Sequence, residues 1–183
     1  LAGCATTPPW SAIAEGETTE SLPGRWIWAE LFTNDIAQAK AFYGDVFGWQ
    51  FETRGTSDKP YILVRNEGMP VAGMLHHPQA EGDVLESRWV GLLSVKDANA
   101  VTDRIREAGG VVLLEPVTLR GRGEVALVAD PEGARFGVLA AESGDPADVM
   151  PEPGHWLWHE LWANSASSAA DFYRKTVGYS IKQ

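Results

Sequence analysis

Four side chains at alternate positions, Trp26, Trp28, Glu30 and Phe32, put three rings and one carboxylate on a single face if residues 25–33 form a strand. Such a wall suits a flat apolar or aromatic ligand, with the carboxylate orienting a polar or cationic group. Glu30 is also the one candidate catalytic residue, because an acid beside tryptophans has a raised pKa and could move a proton. The competing and preferred reading is a salt bridge to an arginine such as Arg135, which faces the same side by alternation with Gly137. An ion pair of this kind could still bind ligand.

The remaining chemistry-bearing residues are less well placed. His76 and His77 are adjacent, so a strand would aim them at opposite faces, and they precede Pro78 at a strand end. His155 and His159 share a strand face with Leu157 and Leu161, which is the helix-packing side, and no third zinc ligand is near them in sequence. Arg120-Gly121-Arg122-Gly123 reads as a flexible basic loop that could close over an anionic ligand, or as a solvated turn. Phe42-Tyr43 and Phe172-Tyr173 have helical spacing with Ala39 and Val46, which makes them core and helix-edge packing. No Ser-His-Asp set, phosphate-cradling glycine loop or dinucleotide fingerprint is present at usable spacing.

The elements that must hold these residues follow from periodicity. After the strand at 25–33, with Ile27, Ala29 and Leu31 expected to pack on a helix, Asp35 caps a helix that Gly48 ends. Strands follow at Trp49–Arg54, Tyr61–Arg65 and Met69–His76, with Asn66-Glu67-Gly68 as the last turn. The same order returns: a strand Arg88–Val95, a helix capped by Asp97 and ended by Gly109-Gly110, then strands Val111–Glu115, Glu124–Ala129 and Ala134–Ala141.

Two β-α-β-β-β units, with AFYGDVFGW in the first and ADPEGARFGVL closing the second, resemble the vicinal oxygen chelate superfamily of glyoxalases, bleomycin-resistance proteins and dioxygenases. The resemblance implies an α+β fold in which paired βαβββ modules, 24–80 and 86–143, form a curled mixed sheet around a cleft. It also implies metal ligands on the first and last strands of each module. Carried over, those positions fall on Trp28, Val90, Ala72–Met74 and Gly137, none of which offers a side-chain lone pair to an ion. The expectation is a cleft without metal or other cofactor. Its ligand-binding residues would be Trp26, Trp28, Glu30, Phe32, Val90, Arg135 and Gly137. The alternative is a glyoxalase-like lyase or dioxygenase-like oxidoreductase whose divalent ion is held by residues in the missing part of the second domain or in a domain-swapped dimer.

The 183 residues carry a net charge of −10, so no broad field attracts nucleic acid. At 44% apolar residues the chain can build a core. The lone cysteine, Cys4 in Leu1-Ala2-Gly3-Cys4, resembles the lipobox of bacterial lipoproteins, with 1–23 as lipobox and flexible tether. That resemblance implies a lipid anchor on Cys4 and a place in the cell envelope, on the outer membrane if the source is Gram-negative. From Gly154 the chain repeats the segment from Gly24 at an offset of 130, with ten of thirty positions identical. Residues 144–153 therefore read as a linker, and 154–183 as the truncated start of a second domain that contacts the first, with a homodimer as the other partner.

Overall fold

The computed structural model describes residues 10, 12–13, 20–56, 59–77, 87–148 and 150–182. Cys4 and the proposed lipobox lie outside them.

Asp35 accepts a hydrogen bond from the Gln38 amide (2.8 Å), and Asp97 accepts one from Ala100 (3.0 Å), so both expected caps form. They start α1 (Ile36–Phe47) and α2 (Ala98–Glu107). Gly48 then takes the left-handed conformation (φ 70°) that closes α1. Around them run β1 (Trp26–Thr33), β2 (Gln50–Thr56), β3 (Lys59–Asn66), β4 (Met69–His76), β5 (Arg88–Ser94), β6 (Val111–Leu119), β7 (Gly123–Ala129) and β8 (Arg135–Ala141). These strands form one sheet in the order β2-β3-β4-β1-β5-β8-β7-β6. Each module closes with a parallel pair, β1 with β4 and β5 with β8, and the modules meet along antiparallel β1 and β5. The result is the expected α+β fold of two βαβββ modules in one curled mixed sheet.

Three apolar clusters hold the sheet. One lies under α1, around Leu31, Trp49, Ile62 and Met74. A second lies under α2, around Val101, Ile105, Val128 and Phe136. The third fills part of the opposite, concave face, around Trp28, Tyr61, Leu63, Leu92 and Leu139. Each fully buried aliphatic or aromatic side chain contributes roughly 1.5–3 kcal/mol.

Strict alternation fails at the start of β1. The register with β5 slips between Trp26 and Trp28, a bulge that adds one residue to β1. As a result Trp26 turns to the helix side, where its ring meets Phe136 edge-on and would collide with any Cβ on Gly91. Ile27 swings to the concave face beside Trp28. Trp26 is therefore no part of the cleft wall, and Ile27 does not pack on a helix.

Phe42 also departs from expectation: it is 56% exposed, as α1 lays only its Tyr43 side against Trp49 and Trp89. Its repeat partner Phe172, on α3 (Ala166–Val177), is 4% exposed in the cluster under α2. The start of the repeat does not form a strand. Residues 155–164 form neither helix nor strand, with Trp156 donating to the Val71 carbonyl (3.0 Å) and His159 stacked on Trp26. The segment 144–154 is hydrogen-bonded to earlier parts of the chain. Asp145 accepts from the Leu22 amide (2.6 Å), the Asn66 amide group donates to the Pro153 carbonyl (2.8 Å), and Trp49 donates to Gly154 (2.9 Å).

Candidate functional site

The concave face has two halves that meet where Glu30 pairs with Val90. In the closed half, a tight turn after β6 pins Arg122: its amide donates to the Leu119 carbonyl (2.8 Å), and its own carbonyl accepts from Glu142 (3.0 Å). Gly121 and Gly123 take positive φ (85° and 123°), which a side chain would resist. The turn sends the Arg122 guanidinium inward, where its side chain is only 1% exposed. It donates to Glu30 Oε1 (2.8 Å) and to Tyr61 Oη (2.8 Å) and lies over the Trp28 ring at 5.1 Å. Trp28 Nε1 (2.9 Å) and Tyr61 Oη (3.1 Å) donate to the same Glu30 oxygen. Among the described residues Glu30 Oε2 has no hydrogen-bond partner. From the N-terminal segment, Trp10 stacks at a tilt on Tyr61 (4.9 Å) and Ile13 is fully packed, covering the cluster.

Burial pushes the Glu30 carboxyl above its ordinary range, against the pull of the Arg122 charge and of its three hydrogen-bond donors. Arg122 is also desolvated, yet Tyr61 and Glu30 more than offset this and hold its proton more tightly than usual. Gly73, opposite Glu30, is required here: a Cβ would strike Tyr61 Oη and Glu30 Oε2. The expected ion pair of Glu30 thus exists, but with Arg122 and not Arg135, and Arg122 belongs to neither a flexible loop nor a solvated turn. The signal available in the sequence was the glycine on each side of Arg122. Gly137 likewise serves packing, since a Cβ there would strike Leu92.

The other half is open. A cavity of about 330 Å³ lies over Phe32, Val90 and Leu127, and the edge strand β6 adds Leu113 and Leu114. Arg88, Arg135 and His77 complete its lining. Of the seven ligand-binding candidates, three, Phe32, Val90 and Arg135, come together around this space. Trp28 and Glu30 are sealed into the closed half, Trp26 is on the other side of the sheet, and Gly137 lies under Leu92. Arg88, Leu113, Leu114 and Leu127 were not singled out from the sequence, although Arg88 and Val90 alternate on one strand face.

Residues 25–138 match the Glyoxalase/Bleomycin resistance protein/Dioxygenase superfamily. The chain belongs to this superfamily. Among curated superfamily relatives, it is 31% identical over 175 residues to an anthracycline biosynthesis protein, DauV, of Streptomyces sp. (strain C5), covering 87% of this chain and 62% of the relative. It is 29% identical over 158 residues to a putative glyoxylase, CFP32, of Mycobacterium bovis, covering 82% of this chain and 59% of the relative. The chain thus spans about three fifths of the length of these relatives. Similar solved structures include a Mn(II)-bound glyoxalase from Novosphingobium aromaticivorans (TM-score 0.58, 20% identity, 87% of this chain and 54% of that one). A variant of 4-hydroxymandelate synthase from Streptomyces coelicolor is also similar (TM-score 0.55, 18% identity, 85% and 52%). These two share the fold.

The residues onto which the resemblance carries the metal positions do not fit an ion. Trp28, Gly73 (within 72–74), Val90 and Gly137 carry no lone-pair donor, and the one carboxylate between them is bonded to Arg122. Among the described residues no three His, Cys, Asp or Glu side chains converge on a point. His155 bonds Asn66 (3.4 Å) and His159 stacks on Trp26, so these two do not form a pair of ligands.

Proposed function

We propose that this chain supplies a ligand-binding superfamily domain that takes a small organic molecule into the open half of its cleft, with no metal ion held by the domain's own side chains. The cavity carries this reading. It is about 330 Å³, near the lower end of ordinary ligand sites, and is walled mainly by Phe32, Val90 and leucines. The donor-poor metal positions support the second part. Because similar proteins include one named for anthracycline biosynthesis, the test panel contains polycyclic aromatics beside smaller rings and fatty chains. Calorimetric titration of the purified protein should find a binder in that panel, and Val90→Trp, which fills the cavity, should weaken it at least tenfold. Unchanged affinity in Val90→Trp would remove the cavity from consideration.

A second reading, a metal-dependent glyoxalase-like or dioxygenase-like enzyme with ligands from elsewhere in a longer protein or from a second copy, draws support from the Mn(II)-bound glyoxalase of like fold. Elemental analysis of the metal-loaded, dialysed protein separates the two, since a stoichiometric divalent ion favours the enzyme.

In this proposal Cys4 carries the lipid that holds the protein to the cell envelope, the partner is a small molecule and not nucleic acid, and the exposed rings Trp158 and Trp162 face the rest of a second domain. Mass spectrometry of the N-terminal peptide from membranes should show a diacylglycerol adduct on Cys4. Release of Cys4→Ser into the soluble fraction is expected alongside it.

A further inference from the structure

We infer that the ligand of the open half-cleft is an amphiphilic anion, an apolar body carrying a carboxylate or an equivalent oxyanion; this rests on reading the cavity as the binding site. Ion-pair geometry is what moves the expectation away from a cationic ligand. The only carboxylate foreseen on the wall, Glu30, is consumed inside the sheet by Arg122, Tyr61 and Trp28. Among the described residues, the charged side chains that line the cavity are of opposite sign.

Arg88 and Arg135 line the apolar cavity and also a second recess of about 310 Å³ that adds Ser87, Trp89 and Gly133. The two arginines are thus shared between an apolar chamber and a more polar recess. Their positions follow from the sheet. Arg88 pairs with Phe32 across β1 and β5, and Arg135 begins β8, two residues before Gly137, which pairs with Leu92. By alternation, Arg88 and Val90 on β5, and Arg135 on β8, share the concave face.

Neither arginine has a carboxylate partner among the described residues. The acids nearest to Arg135 in sequence are already committed. Glu132 accepts from the Asn164 (2.6 Å) and Ser165 (3.1 Å) amides at the start of α3. Asp130 accepts from the Glu132 and Ala134 amides (2.9 and 2.8 Å) and from Tyr173 Oη (3.2 Å). In a chain with 25 acidic and 15 basic residues, two arginines that no described carboxylate neutralises, beside one apolar cavity, are a complementary pair for an anion that brings its own hydrocarbon.

The test is a matched series on one ring system: naphthalene-2-carboxylate, naphthalene-2-carboxamide and 2-naphthylmethylammonium, each titrated calorimetrically into the whole chain at low and at high salt. The carboxylate should bind at least about tenfold more tightly than the amide, since charge-assisted hydrogen bonds to arginine are roughly twice as strong as neutral ones. Added salt should erode that preference. In the Arg88→Gln/Arg135→Gln double variant, checked for native circular dichroism, the carboxylate-to-amide ratio should fall to near one. An amide that binds as well as the carboxylate, a preferred ammonium, or a ratio unchanged in the double variant overturns the inference while the cavity reading stands. If none of the three binds the folded protein while another member of the panel does, the inference fails and the cavity reading stands; if no member of the panel binds, both fail.

Discussion

Arg122 is the cation around which the closed half of the cleft is organised, and its removal should be costly. Arg122→Met leaves the Glu30 carboxyl buried without its counter-ion, and we expect a loss of about 3–5 kcal/mol in urea unfolding. Adding Glu30→Gln should return part of that loss, because the amide no longer demands a cation; a double variant as unstable as the sum of the singles would show the pair uncoupled. Gly73→Ala acts on the same cluster by sterics. Its Cβ has no room beside Tyr61 and Glu30, and a cost of about 1–3 kcal/mol is expected from overpacking. At this scale the sequence made it legible that Glu30 would be ion-paired, since an acid on a ring-lined strand face needs a partner. It could not single out Arg122 over Arg135, because that choice depends on how a turn 92 residues away folds back over the sheet.

Among the elements, the segments 24–53 and 154–183, identical at ten of thirty positions, offer a controlled comparison. Phe42 and Phe172 occupy the same repeat position, yet one is exposed on α1 and the other is buried beneath α3 against the α2 cluster. Phe172→Ala should cost about 3–5 kcal/mol, whereas Phe42→Ala should stay within about 0.5 kcal/mol. Equal losses in denaturant titrations would contradict the packing described for α3. Helix boundaries were readable because caps are local: Asp35, Asp97 and Gly48 each act within one turn. The start of β1 was not, because a bulge is a property of two strands and period-two counting along one of them places Trp26 and Ile27 on the wrong sides.

For the whole molecule, the side chains that burial keeps protonated set an alkaline limit. Tyr61, Tyr173 and Tyr179 all hold their protons more tightly than usual, chiefly through desolvation, with Glu30 and Asp130 reinforcing the first two. Above the ordinary tyrosine pKa of about 10 the unfolded chain releases these protons and the folded one does not, so stability present below that pH must fall as pH rises through it. Denaturation midpoints should therefore drop between mildly and strongly alkaline buffers, and tyrosinate absorbance from Tyr61 should appear only with unfolding.

Module order and helix caps could be read along the chain, because each depends on residues close in sequence. The division of the cleft into a sealed and an open half could not. It arises where Trp10 and Ile13 cover Arg122, and where β6 curls round to bring Leu113 and Leu114 over Phe32 and Val90. Those contacts join the N-terminal segment and the edge strand β6 to residues distant in sequence, and only the curvature of the folded strands determines which side chains share a volume.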